Sequence, residues 1–399
     1  MAQEERPVRR IGVDERRARL ARRHHLARSA RADGVAELAG DLVGLHATDP
    51  ASVMLAARSR LRRARPATVE RALYEERSVV RMLGMRRTMF VVPRELIGVI
   101  QAAATAALLP GERRRFVAML EAAGVAADGE AWLAAAEAET LAALAARGEA
   151  TASELGQEIP ALGRQIVVAA GTKHEARQGV ASRVLFLLAA QGLIVRTRPL
   201  GSWTSSLNRW APLESWLGGP APVVATETAR AELVRRWLRA FGPGTFADLK
   251  WWTGWSASVL KRVLADVGPV EVELDAGATG LVLADDVLPI SDPEPWAAAL
   301  PGLDPTIMGW FERDWLLGPH RAMLFDRTGN AGPTLWWNGR VVGGWGQRKD
   351  GEVVHRLLED VGAEARTAIE AELAELAEWV GAVRLTPRFR TPLERELTR

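Results

Sequence analysis

The sequence predicts an α+β protein: tandem winged-helix (helix-turn-helix) modules followed by a C-terminal small β-barrel or sheet domain with one helix. Three observations lead there. The first hundred residues read as helices followed by a two-stranded hairpin. The capping pattern T-x-x-[DE]-L opens a helix at Thr151 and again at Thr245. After about residue 300 the pattern changes to short β-like runs around an Asn338-Gly339 turn.

Residues 14–28 are polar and Arg-rich and predict a first helix. From Val35, apolar residues recur at Leu38, Leu42 and Leu45 with helical spacing. Asp49-Pro50 reads as an N-cap followed by proline at the first helical position. The helix it opens carries Val53, Ala57 and Leu61 on one face, with Arg58, Arg62 and Arg65 elsewhere. A short helix near 67–75 precedes β-rich runs at Val79–Leu83 and Thr88–Val92, joined by Gly84 to Arg87. Helices followed by a hairpin is the winged-helix order.

The capping box at Thr151 precedes a helical run, about Gln178 to Ala190, ended by Gly192. A strand at Leu193–Arg198 and a return through Ser202–Trp210 form a second wing. The box at Thr245-Phe-Ala-Asp248-Leu249 sits between helices near 227–241 and 257–266, and strands at about 269–274 and 279–284 follow. Beyond residue 300, strands are expected at Ala322–Phe325, Thr334–Trp337, Val341–Trp345 and Val383–Leu385, with a helix at about Ala363–Val380. The expected division is 1–105, 106–219 and 220–299 for the three modules and 300–399 for the last domain. Linkers are expected near Gly218–Pro222 and Pro301–Pro305.

Composition bounds the chemistry. At 399 residues the chain is too long for one ordinary domain, and 48% hydrophobic with 25% charged residues is globular usage. The chain has no cysteine, which removes disulfides, thiolate metal sites and cysteine nucleophiles. Met1 to Arg10 is charged and no run is apolar enough to span a bilayer, so cytoplasmic residence without a membrane partner is expected. The six histidines, His24, His25, His46, His174, His320 and His355, make no metal-ligand spacing, and no phosphate loop, zinc helix or nucleophile elbow is present. No metal and no cofactor are expected.

Charge is uneven. Residues 1–100 hold 21 Lys+Arg against 12 Asp+Glu, a net of +9, and the remainder holds 31 against 37, a net of −6. A basic front end points to a polyanion partner, and a compositional preference for arginine over lysine, 48 to 4, accounts for it equally well. Of 15 tryptophans only Trp132 precedes residue 200, so the two halves have different cores. The Trp251-Trp252 and Trp336-Trp337 pairs suit base stacking or core packing, and packing is the expectation.

One segment gathers hydrogen-bonding side chains at a joint between two helices of the basic module: Gly44-Leu45-His46-Ala47-Thr48-Asp49-Pro50. On spacing alone, Asp49 is a cap, Thr48 supports the turn and His46 satisfies a backbone carbonyl. This segment, with Arg58, the Met82 to Pro93 run, Leu303-Asp304-Pro305 and Asn338 to Gly344, resembles the AlkZ-like (YcaQ-like) winged-helix DNA glycosylases, over nearly the whole chain.

That resemblance implies a monofunctional, metal-independent enzyme that removes alkylated bases, including bulky N7-substituted purines, from duplex DNA. Some members unhook interstrand crosslinks. The family hallmark is Gln-x-Gln, or Gln-x-Asp in one branch, and here His46 and Thr48 stand at the matching positions. The expected catalytic set is His46 to hold the water, Thr48 to assist and Asp49 to supply negative charge. The expected DNA contacts are Arg22, Arg23, Arg58, Arg86 and Arg87, with the Asn338–Arg340 tip as a minor-groove probe. Three modules in one chain give no reason to dimerise, so a monomer on double-stranded DNA is expected. The alternative is a winged-helix DNA-binding protein without enzymatic activity, such as a transcriptional regulator. A third reading makes the wings protein-interaction surfaces.

Overall fold

The computed structural model describes residues 9–168 and 176–399, and His174 lies outside them. Three units in succession share one order: helix, strand contact, two helices, two strands.

In the first, helices Val13–Arg23 and Val35–Asp41 lead to the strand Leu45–His46. Helices Pro50–Arg58 and Pro66–Tyr74 follow, then strands Val79–Leu83 and Met89–Pro93. The central strand of its sheet is Met89–Pro93, with Leu45–His46 antiparallel on one side and Val79–Leu83 on the other. Sequence reasoning carried the helical pattern to Leu45. The helix instead ends at Asp41, and Val43 and Gly44 turn the chain through positive φ of 54° and 108° into the strand. A Cβ on Gly44 would press on Phe90 and Val92 at 3.1 Å, so glycine permits both the turn and the close approach. Asp49 and Pro50 then start the next helix as expected.

The second unit packs helices Leu109–Ala122 and Gly129–Arg147 around Ala152–Glu158 and Val180–Ala190. Thr151 and Glu154 satisfy each other's backbone N–H groups at the start of Ala152–Glu158. Its sheet orders Ala150–Thr151, Asn208–Pro212 and Ile194–Pro199, and an extra hairpin, Gln165–Val168 with Ala176–Gly179, lies between the helices. The third unit repeats the box at Thr245 and Asp248. Its strands Val270–Glu273 and Thr279–Val282 form a hairpin, and the first strand is reduced to one bridge, Gly244 to Leu281.

The C-terminal part is an antiparallel four-stranded sheet in the order Ala297–Leu300, Thr334–Trp337, Arg340–Gln347, Val353–Leu357, with the helix Gly362–Val380 packed on it. Asn338 and Gly339 adopt the positive φ of a two-residue hairpin, 45° and 81°. Among the described residues the outer strands do not pair, so the sheet is open. Two expected strands are absent. The Ala322–Phe325 run is the helical turn Arg321–Leu324, started by Gly318-Pro319. Val383–Leu385 stays outside the sheet because Gln347 takes its hydrogen bonds: the side-chain amide donates to the Val383 carbonyl at 3.2 Å and accepts from the Leu385 N–H at 2.7 Å.

The cores explain how the units hold together. Leu38, Leu42, Leu45, Val53 and Val91 of the first unit form one buried cluster with Leu335, Trp345, Ile369 and Leu376 of the last part. The second unit has its own core around Phe116, Leu144 and Leu188.

The Pro301–Pro305 stretch, expected as a linker, is instead a largely buried joint. Asp304 and Arg60 are both fully buried and meet in a two-pronged ion pair of 2.6 and 2.9 Å. The remaining guanidinium N–H groups donate to the carbonyls of His24 and Ala56 and to Thr306 Oγ1, so all five donors are used. His24 joins the same network through Thr306 Oγ1 at 2.8 Å and the Ala240 carbonyl at 3.1 Å. Burial and the nearby Arg60 charge hold its imidazole well below the usual pKa, so it is neutral.

Candidate active site and nucleic-acid interface

His46 occupies a short strand rather than a bare elbow. It lies opposite Phe90 in the register, with ring centroids 5.3 Å apart. Only 5% of the residue is exposed. Among the described residues neither ring nitrogen has a hydrogen-bond partner, and Nδ1 is fully enclosed. Burial, with the Arg86 charge adding to it, lowers the imidazole pKa to about 3, so the ring is neutral near pH 7. A buried polar group without a partner costs roughly 1–3 kcal/mol and calls for a bound water or ligand.

Thr48 is half-buried, and its Oγ1 accepts from the Met89 N–H at 3.3 Å, leaving the hydroxyl proton to point elsewhere. Asp49 is held by two backbone donors. Its Oδ1 caps the helix at the Ala51 N–H, 3.1 Å away, and its Oδ2 accepts from the Arg388 backbone N–H at 2.9 Å. The cap expected from the sequence is present, the same carboxylate anchors the Arg388 backbone, and its charge acts on Arg81.

Several arginines expected on DNA are instead spent on the protein itself. Arg58 is buried and paired with Glu372 on the last long helix. Burial raises the pKa of the Glu372 carboxyl although Arg58 works against it. Arg23 donates to Asp286 at 2.6 Å and to the Gly242 carbonyl at 2.8 Å. The Asn338–Arg340 tip is docked rather than free. Asn338 exchanges hydrogen bonds with the Trp296 backbone at 2.8 and 3.0 Å, Gly339 lies against Arg17, and Arg340 pairs with Glu359 at 2.7 Å.

The cause is general: carboxylates of the acidic remainder meet arginines of the basic front end. Arg19 and Arg23 meet Asp286, Arg60 meets Asp304, and Arg58 meets Glu372. Much of the charge asymmetry read along the sequence is thus internal pairing.

Three of the expected arginines stay near solvent. Arg22 is exposed and donates to Ser291 Oγ, beside Arg236 and Arg239 in a shallow groove. Arg87 is exposed at the first hairpin turn, with one ion pair to Glu112 at 2.9 Å. Arg86, at φ 52°, lays its guanidinium 3.8 Å over the Trp251 ring, and burial lowers its pKa to about 10. Arg313 faces the same ring at 4.8 Å, so Trp251 packs between cations rather than standing free for a base. Trp336 and Trp252 are core residues.

Sequence reasoning missed the residues that surround Ala47–Asp49 in space: Arg81, Arg196 and Arg388. Arg81 donates to the Ala47 carbonyl at 2.7 Å, Arg388 to the Thr48 carbonyl at 3.3 Å, and Arg196 to Met89 Sδ at 2.7 Å. They come from three distant parts of the chain, and no local pattern announces their meeting.

A family model for DNA glycosylase AlkZ-like proteins matches residues 39–379. The chain belongs to the AlkZ-like DNA glycosylase family. Among solved structures, the DNA glycosylase AlkZ of Streptomyces sahachiroi superposes with a TM-score of 0.70 at 21% identity, covering 94% of this chain and 98% of that one. That likeness bears on the fold. No curated protein matches the chain significantly. Membership places it with DNA-binding, base-excising hydrolases of DNA repair. Among the described residues no helix is long and apolar enough to cross a membrane.

Proposed function

We propose that this AlkZ-like chain is a monofunctional glycosylase hydrolysing the N-glycosidic bond of alkylated, N7-substituted purines in duplex DNA. In this reading the three helix–strand–helix–helix–strand–strand units act as winged-helix modules, the chain works as a cytoplasmic monomer, and neither metal nor cofactor takes part. The observation that carries the reading is His46: a buried imidazole for which, among the described residues, neither ring nitrogen has a hydrogen-bond partner, at the position where the family keeps a glutamine. A ring so placed can hold a water against the sugar.

With a pKa near 3, His46 is a weak base, so it orients the water as a neutral donor and acceptor, much as an amide does. An N7-alkylguanine already carries positive charge and leaves readily, so the water needs little deprotonation before it meets an oxocarbenium-like sugar. In this reading the Thr48 hydroxyl, whose proton is not used by its bond from the Met89 N–H, assists with that water. Arg22, Arg86 and Arg87 are the expected front-end arginines left for the duplex.

One observation favours the second reading, a DNA-binding protein without enzymatic activity: no carboxylate acts on His46, and Arg86 is its charged neighbour. Incubation with duplex DNA carrying N7-methylguanine, then a bulkier N7 adduct, followed by alkali cleavage, decides between them. An abasic product supports the glycosylase. Tight binding without product supports the binder.

A further inference from the structure

We propose that the guanidinium groups of Arg81, Arg196 and Arg388 form a seat for a DNA phosphodiester one residue away from His46. This rests on the glycosylase reading for the identity of the ligand, and on geometry for the existence of the seat. Arg81 stands on the strand Val79–Leu83, Arg196 on the strand Ile194–Pro199, and Arg388 on the segment before the last helix. All three converge on the backbone and side chains of Ala47, Thr48 and Met89, the immediate neighbours of His46 and of its register partner Phe90.

Among the described residues none of the three pairs with a carboxylate, as is also true of Arg77, Arg86, Arg94 and Arg313; what sets these three apart is that they meet around one turn. Arg81 is held by two neutral oxygens, the Ala47 carbonyl and Asn208 Oδ1, the latter at 3.1 Å. Arg196 has the Met89 sulfur and the face of Trp210, 4.6 Å from its ring centre. Arg388 has the Thr48 carbonyl. The nearest carboxylate in the cluster, Asp49, already accepts from two backbone N–H groups.

The like charges oppose one another: Arg81 and Arg388 both add to the lowering that burial imposes on Arg196. Asp49 offsets part of this at Arg81, but three cations outnumber one carboxylate, so a further anion is favoured, and guanidinium forks match phosphate oxygens. Arg388 also lines a groove of about 1090 Å³ where Arg321, Arg327, Arg390, Arg395 and Arg399 outnumber Asp326 and Glu396. A phosphate chain leaving the seat finds further positive charge there.

The seat also answers an electrostatic problem. Bare cations beside a developing oxocarbenium ion would raise its energy. A phosphodiester held between them offsets part of that repulsion and brings its own negative charge near the sugar. The anion that binds the substrate is then part of the substrate.

The test is equilibrium binding of the full chain to an undamaged duplex oligonucleotide of about 20 base pairs across a salt series. Each phosphate contact adds about 0.9 to the slope of log affinity against log salt. Arg196→Gln and Arg388→Gln are each expected to reduce the slope by about 0.9 and the affinity several-fold at low salt, with Arg196→Lys retaining the slope. An Arg196→Gln chain that melts like its parent yet keeps slope and affinity overturns the seat. Should Arg196→Gln fail to fold, the exposed Arg388→Gln carries the same decision. A reduced slope without excision of any N7 adduct leaves the seat standing and removes the glycosylase reading. Unchanged slopes with intact excision do the reverse.

Discussion

Replacing His46 by glutamine makes the chain more tolerant of acid. In the fold the imidazole has a pKa of about 3, against 6.5 for an ordinary histidine. Below pH 6.5 the unfolded chain takes up a proton at this position that the folded chain refuses. Stability attached to His46 is therefore complete above about pH 6.5 and is lost as pH falls toward 3. The full difference is about 5 kcal/mol, at 1.36 kcal/mol per pH unit, and about 2 kcal/mol of it is gone between pH 7 and pH 5. Glutamine does not titrate and removes the whole contribution. His24, also buried and neutral, pulls in the same direction but is common to both chains and cancels in the comparison. Urea denaturation of parent and His46→Gln at pH 7 and pH 5 measures it. The variant is expected to gain about 2 kcal/mol on the parent as the pH drops. Parallel losses would show that the ring is not held neutral, and the account of a neutral water-orienting imidazole would fail with it.

Removing one partner of the Arg60–Asp304 pair, as in Asp304→Asn, leaves a buried charge and is expected to cost about 3–5 kcal/mol, seen as a large fall in melting temperature. Arg58→Gln is expected to destabilise the chain through Glu372 while leaving the salt slope of DNA binding unchanged, which separates it from the arginines of the phosphate seat. Asp49→Ala removes a helix cap and the anchor of the Arg388 backbone and is expected to cost about 1–2 kcal/mol in urea denaturation.

What the sequence made legible was local. Asp49-Pro50, the Thr151 and Thr245 boxes and the Asn338-Gly339 turn act within four residues of themselves, and each sits where its chemistry put it. The β-like run at 322–325 misled because a short apolar stretch has no period of its own, and Pro319 decided for a helical turn. The candidate site was legible as a segment but not as a site. Asp304 is 244 residues from Arg60, and Glu372 is 314 from Arg58, so nothing in the spacing shows that these charges cancel. The same distance hid Arg196 and Arg388, whose value lies in reaching Thr48 and Met89 from other units. The charge imbalance between front and rear was real, but it had two uses: pairing across the joints took Arg23 and Arg58 and left Arg22, Arg86 and Arg87.

The most direct test of the central claim is single-turnover excision of N7-methylguanine from duplex DNA by the parent chain and His46→Ala, with binding of the same duplex measured alongside. The account expects an abasic product from the parent, a loss of roughly 10²-fold or more in rate for the variant, and unchanged affinity. Full excision by His46→Ala would contradict it.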